Sequence, residues 1–175
     1  MLYSTIGHYS LVLGLGVSLL LVFFSIKNFK NSEILSSKVL SFTFLQFFLV
    51  VVSFSSLIIS FVLSDFSNET VFNNSHTTKP FFYKIAGTWG NHEGSLLLWL
   101  FVLTLFILIF ILKTKHQPIK YKLLTLIFQQ IIIIGFFLFL IETSNPFNYL
   151  YPVPDEGLGL NPILQDPALA IHPPI

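Results

Sequence analysis

Two short runs hold the side chains best placed to do chemistry. In Trp89-Gly90-Asn91-His92-Glu93-Gly94-Ser95, an imidazole and a carboxylate stand side by side at the start of an apolar stretch. A plain structural account covers part of this run. Asn91 is suited to cap a helix, Glu93 to sit in its first turn where the helix dipole favours an anion, and Trp89 and Trp99 to anchor at headgroup depth. That account leaves the His-Glu pair unexplained, and a zinc site needs more ligands at regular spacing than this run offers. The second run is Asn161-Pro162-Ile163-Leu164-Gln165-Asp166-Pro167, followed by Ile171-His172-Pro173-Pro174. Pro173 biases His172 toward an extended backbone, and the two prolines stiffen the chain around it. A neutral imidazole on a stiff, apolar segment is placed as an axial ligand to haem iron would be; the alternative is a His in an exposed tail. His8 reads as an interfacial His, while His76 and His116 lie in polar loops and are assigned no chemistry.

The elements that must carry these runs are read from hydropathy. Of the 175 residues, 54% are hydrophobic and only 10% are charged, and the mean hydropathy is +0.80. That surplus of apolar side chains requires lipid as its solvent. Four apolar runs approach the roughly 20 residues needed to cross a bilayer: 9–26, 39–63, 95–112 and 123–141. They are continuous and not alternating, which predicts helices and not a barrel. The expected fold is therefore all-α, a polytopic membrane helix bundle of four transmembrane helices with two long outer-face segments. The division is residues 1–142 for the four-helix region and 143–175 for an outer-face Pro-rich coil ending in His-Pro-Pro.

Orientation follows from lysine. All nine basic residues are Lys, and Lys27, Lys30, Lys38, Lys113, Lys115, Lys120 and Lys122 lie in the two short loops on one side. The other side has Lys79 and Lys84 beside several acidic residues, so the positive-inside rule puts both termini on the outer face. The first span has no basic region before it and reads as an N-out anchor, not a cleavable signal. There is no cysteine, so any thiol in the chemistry belongs to another molecule. Gln46, Gln129 and Gln130 fall in or near spans and are expected to make helix–helix hydrogen bonds. Gly14 and Gly16 permit close packing. Asn68-Glu69-Thr70 matches a glycosylation pattern of little weight. No phosphate loop, Ser-His-Asp set or charged intramembrane relay is visible, and nothing points to nucleic acid.

With those residues in view, the chain resembles the N-terminal part of the CcmF family, the haem lyase component of cytochrome c maturation. Trp89 to Trp99 matches that family's Trp-Gly-x-His-Glu-Gly-Ser-Leu-Leu-Leu-Trp, with Asn91 where Gly is usual. Ser144 to Phe147 matches Ser-Asn-Pro-Phe, Leu160 to Pro167 matches Leu-Asn-Pro-x-Leu-Gln-Asp-Pro, His172 to Pro174 matches His-Pro-Pro, and Gly7-His8 matches an early Gly-His pair. The resemblance implies that His172 is an outer-face axial ligand to haem, and that Trp89, His92, Glu93, Trp99 and Asp166 help shape the surface that meets haem or a partner. No catalytic residue is assigned.

The family pattern continues past His-Pro-Pro with further spans, a Trp-rich WWD segment that cradles haem, and additional His ligands, none of which this sequence contains. The resemblance therefore implies a subunit of a haem lyase that works with remaining CcmF-like chains bearing the WWD segment, with a haem chaperone and with apocytochrome c. The composition, rich in Phe, Ile, Asn and Lys, suggests an AT-rich genome, that of an organelle or an endosymbiont. The resemblance implies either one piece of a split protein or a truncated sequence, placed in the mitochondrial inner membrane with both termini in the intermembrane space; the alternative is a bacterial plasma membrane with periplasmic termini. Two competing readings are a structural membrane subunit of a respiratory or assembly complex without haem contact, and a transporter, which lacks the paired intramembrane charges expected of one.

Overall fold

The computed structural model describes residues 1–31, 37–114 and 116–159. Six helices follow in chain order: α1 (Leu2–Asn31), α2 (Ser37–Val62), α3 (Glu69–Asn74), α4 (Phe81–Gly87), α5 (His92–Lys113) and α6 (Ile119–Glu142). Among the described residues, α1, α2, α5 and α6 are the helices long and apolar enough to cross a membrane. Each matches one of the four apolar runs, with α2 ending one residue before the expected 63, and the protein is a membrane helix bundle. The α1 helix begins at Leu2, a full two turns before the run that signals it. Its 30 residues span about 45 Å against a hydrocarbon core of about 30 Å, so its ends project into the interfaces. His8 therefore lies within the helix and not at its edge.

The four long helices form a ring. The α1 helix packs against α2 and α6, and α5 closes the ring between them. Small residues let the backbones approach. A Cβ on Gly14 would lie 2.7 Å from the ring of Phe137, and one on Gly7 would lie 2.3 Å from Phe147. Gly7 and Gly14, two turns apart, each receive a Phe ring on one face of α1, whereas Gly16 meets nothing within 4 Å.

Opposite corners of the ring are joined by amides. Gln46 on α2 donates to the Gln130 carbonyl on α6 at 2.8 Å and accepts from its Nε2 at 2.9 Å. Gln46 Nε2 also donates to Ser18 Oγ on α1 at 2.6 Å, and the Ser18 hydroxyl donates in turn to the Gly14 carbonyl at 2.9 Å. Both glutamines are fully buried, as apolar surroundings demand of a polar pair that satisfies itself. Gln129 differs from this expectation: it lines a cavity of about 50 Å³ between α5 and α6, and its Oε1 has no partner among the described residues. A Gln46→Leu/Gln130→Leu cycle, followed by unfolding in bicelles, is expected to return a coupling of roughly 0.6–1.7 kcal/mol. A coupling near zero would make the pair incidental to the bundle.

Two segments lie at the end of the bundle opposite the lysine-rich loops, as expected. The first, residues 63–91, holds α3 and α4. These helices are too short to leave a hydrophobic period in the sequence and are set by local chemistry. Asn68 caps α3 by accepting from the Val71 N–H at 3.0 Å, and Pro80 precedes α4. The second, residues 143–159, contains no helix.

Candidate functional site

Asn91 caps α5 as the sequence predicts. Its side-chain carbonyl accepts from the Gly94 N–H at 2.7 Å, and its amide nitrogen donates to the Gly87 carbonyl at 2.7 Å. The turn is so tight that a Cβ on Gly94 would stand 1.6 Å from the Thr88 carbonyl oxygen. This close approach explains the glycine at that position. The capped turn sets His92, Glu93 and Ser95 at the mouth of α5. Glu93 occupies the first turn and has no hydrogen bond or ion pair among the described residues. Trp89 is half-buried on the preceding turn, and Trp99 projects from the outward side of α5, 56% exposed.

Directly after α6 the chain turns back over the bundle with Ser144-Asn145-Pro146-Phe147. Phe147, 2% exposed, drives its ring against Gly7 and fixes this strap to α1. Asn68 is the hub beneath it. Its Nδ2 donates to Ser4 Oγ on α1 and to the Pro146 carbonyl while its Oδ1 caps α3. Asn68 is fully buried, so its glycosylation pattern carries no modification. Backbone bonds from Glu69 N–H to the Asn148 carbonyl and from Leu150 N–H to the Ser67 carbonyl stitch the two segments together.

The strap holds two imidazoles. Ser144 Oγ lies 3.3 Å from His92 Nδ1, and Asn145 Nδ2 lies 3.1 Å from His8 Nδ1. Consecutive residues thus hold side chains from α5 and α1. The Asn145 amide is oriented by its second bond, since its Oδ1 accepts from the Phe147 N–H at 3.0 Å. Its Nδ2 is therefore the atom offered to His8. His8 accepts through Nδ1 and, when neutral, carries its proton on Nε2. The Ser144 hydroxyl can donate or accept, so either tautomer of His92 fits. The His92 ring also meets Phe139 edge-on, and Phe139 is one wall of an apolar cleft of about 330 Å³ between α5 and α6, lined also by Leu96, Ile132, Gly135 and Phe136.

Further along, residues 156–159 dock on the end of α3. The Glu156 carboxylate accepts from the Thr77 hydroxyl and N–H, which hold it below the usual carboxylate range. Leu158 and Gly159 donate to the carbonyls of Phe72 and Ser75. The structure thus brings His92 together with His8 through the strap. Asp166 and His172 lie outside the described residues. The sequence reading missed Ser144, Asn145 and Asn68 as positioning groups; the signal was a polar pair set between the end of α6 and a Pro-Phe anchor. No cluster of three or more potential metal ligands exists among the described residues.

Comparison with known proteins fits this architecture. A family model described as Cytochrome C assembly protein matches residues 89–175. The cytochrome c-type biogenesis protein CycK of Rhizobium meliloti is 42% identical over 97% of this chain and 25% of its own length. CcmF of Haemophilus influenzae is 38% identical over 98% of this chain and 27% of its own, and CcmF of Escherichia coli is 38% identical over 97% and 27%. The chain therefore spans about a quarter of the length of these relatives. A solved structure named Cytochrome c Heme Lyase CcmF superposes with a TM-score of 0.81 over 97% of this chain and 26% of that one, at 22% identity, and shows the shared fold. From its sequence and its helix bundle, this chain belongs to the CcmF family of cytochrome c-type biogenesis proteins.

Proposed function

We propose that the chain is a subunit of the membrane haem lyase of cytochrome c maturation, and that it builds the outer-face surface on which haem is held while it is joined to apocytochrome c. The observation that carries this reading is the strap at 144–147, which fastens two imidazoles, from α1 and α5, at one end of a membrane bundle. Haem is here a substrate. In the joining step each cysteine S–H adds across a haem vinyl group, forming one C–S bond and delivering the hydrogen to the neighbouring carbon. The thiols are the apocytochrome's, because this chain has no cysteine.

The chain's own residues hold and orient. His172 supplies one axial imidazole to the iron. His8, with its proton on Nε2, is suited to donate to a haem carboxylate and not to bind iron. His92, Glu93, Trp89 and Trp99 shape the adjoining surface, with Asp166 on the segment leading to His172. A single imidazole makes half of a bis-His site; in this reading a remaining CcmF-like chain contributes the second ligand and the Trp-rich cradle. A haem chaperone supplies the porphyrin. The membrane is the mitochondrial inner membrane with both termini in the intermembrane space, or in a bacterium the plasma membrane with both termini periplasmic.

Affinity purification of the chain from solubilised membranes tests this reading. It is expected to recover a Trp-rich partner chain together with a haem Soret band, and depletion of the chain is expected to leave apocytochrome c without covalent haem. A purified assembly free of haem, with normal holocytochrome c after depletion, would leave only a structural subunit.

A further inference from the structure

We propose that α4 and the two lysines beside it form a binding site for the phosphate of an anionic phospholipid. The α4 helix sits between the end of α2 and the start of α5, which places it at headgroup depth. Its C-terminal end is buried: Ala86 and Gly87 pack into the bundle, and a Cβ on Gly87 would lie 3.0 Å from Phe61 of α2. Its first turn presents Phe81, 65% exposed, and Phe82, 48% exposed. A short helix with bare phenylalanines at this depth sets them among acyl chains.

The charges give the ligand its sign. Lys79 and Lys84 bracket the two phenylalanines in sequence, and both ammonium groups are drawn onto neutral oxygens. Lys79 Nζ donates to the Asn74 carbonyl at 2.7 Å, and Lys84 Nζ donates to Ser64 Oγ at 2.8 Å. Neither pairs with a carboxylate among the described residues. Asp65 is engaged by the N-terminal ammonium and Ser67, and Glu156 by Thr77. Burial first, and then the neighbouring charge of Lys84, push Lys79 down to about 8, which leaves it protonated at neutral pH. Two half-buried cations without a counter-ion, beside two phenylalanines facing lipid, match a group with a phosphate at one end and acyl chains at the other. A soluble anion would satisfy the lysines and leave Phe81 and Phe82 bare. This inference is independent of the haem reading.

The test uses the complete assembly in phosphatidylcholine nanodiscs doped with a photoactivatable phosphatidylglycerol, with cross-links mapped by mass spectrometry. Adducts are expected on the peptide carrying Phe81 and Phe82. They should fall on the order of tenfold or more in Lys79→Ala/Lys84→Ala, at about 1 kcal/mol per lysine, and persist in Lys79→Arg/Lys84→Arg. Equal labelling of wild-type α4 by photoactivatable phosphatidylcholine would overturn the proposal whatever the variants do, as would unchanged labelling in the alanine variant. Loss of the label to inorganic phosphate would identify a soluble anion, and loss to excess haemin a porphyrin carboxylate; either result would overturn the lipid assignment.

Discussion

Gly94→Ala is expected to prevent the chain from accumulating in the membrane at wild-type levels. The added methyl has nowhere to go. The atom it would strike, 1.6 Å away, is the backbone carbonyl oxygen of Thr88, and Asn91 Nδ2 closes the site from another side at 3.1 Å. Backbone on both sides of the contact cannot rotate away as a flexible side chain would, so the helix must shift. That shift breaks the Asn91 cap on Gly94 N–H and pulls His92 from Ser144. Overpacking of this kind costs about 3 kcal/mol or more, a large share of a domain's net stability. Gly16→Ala is the matched control, since nothing lies within 4 Å of its added Cβ and alanine favours helix. Immunoblotting of membranes and thermal unfolding in detergent would compare the two. Equal abundance and equal melting of the Gly94 and Gly16 variants would show that the turn at 88–94 has room for a methyl group.

His172→Ala is expected to lower mature cytochrome c on the order of tenfold or more while leaving the chain's abundance unchanged. Losing the hydrogen-bond partner that orients a metal ligand already costs about 10–100-fold in affinity or activity, and a direct ligand is worth at least that. The effect separates from a folding defect because the strap and the Asn68 hub hold the outer face through residues 4–8, 67–71 and 144–150, none of which includes position 172. Haem staining of membrane proteins, normalised to the subunit, is the measurement. Normal haem-stained cytochrome would remove the ligand role.

The long helices were legible because lipid imposes one rule on them: a continuous apolar run of sufficient length. The same rule placed the start of α1 too late, since Tyr3, Ser4, Thr5 and His8 are polar residues that a helix projecting into the interface tolerates. The α3 and α4 helices left no period to read, because six and seven residues are held by a cap, a proline and tertiary contacts. The outer face was legible only as residue types. Asn91 and Glu93 obeyed local helix-end chemistry and could be placed. Asn68 could not, because its three partners lie on α1, on α3 and after α6, and a loop asparagine announces none of them. Gly7 has the same history. Its reason for being glycine is Phe147, 140 positions away in sequence and brought near only when α6 returns the chain to α1.

The central claim is that this chain gives an imidazole to haem iron on its outer face. The ferric spectrum of haem in the purified assembly, with partner chains present, tests it most directly by resonance Raman and electron paramagnetic resonance. Wild type is expected to be low-spin with two imidazole ligands. His172→Ala should turn high-spin and return to low-spin when free imidazole is added. An unaltered low-spin spectrum in the variant would contradict the claim.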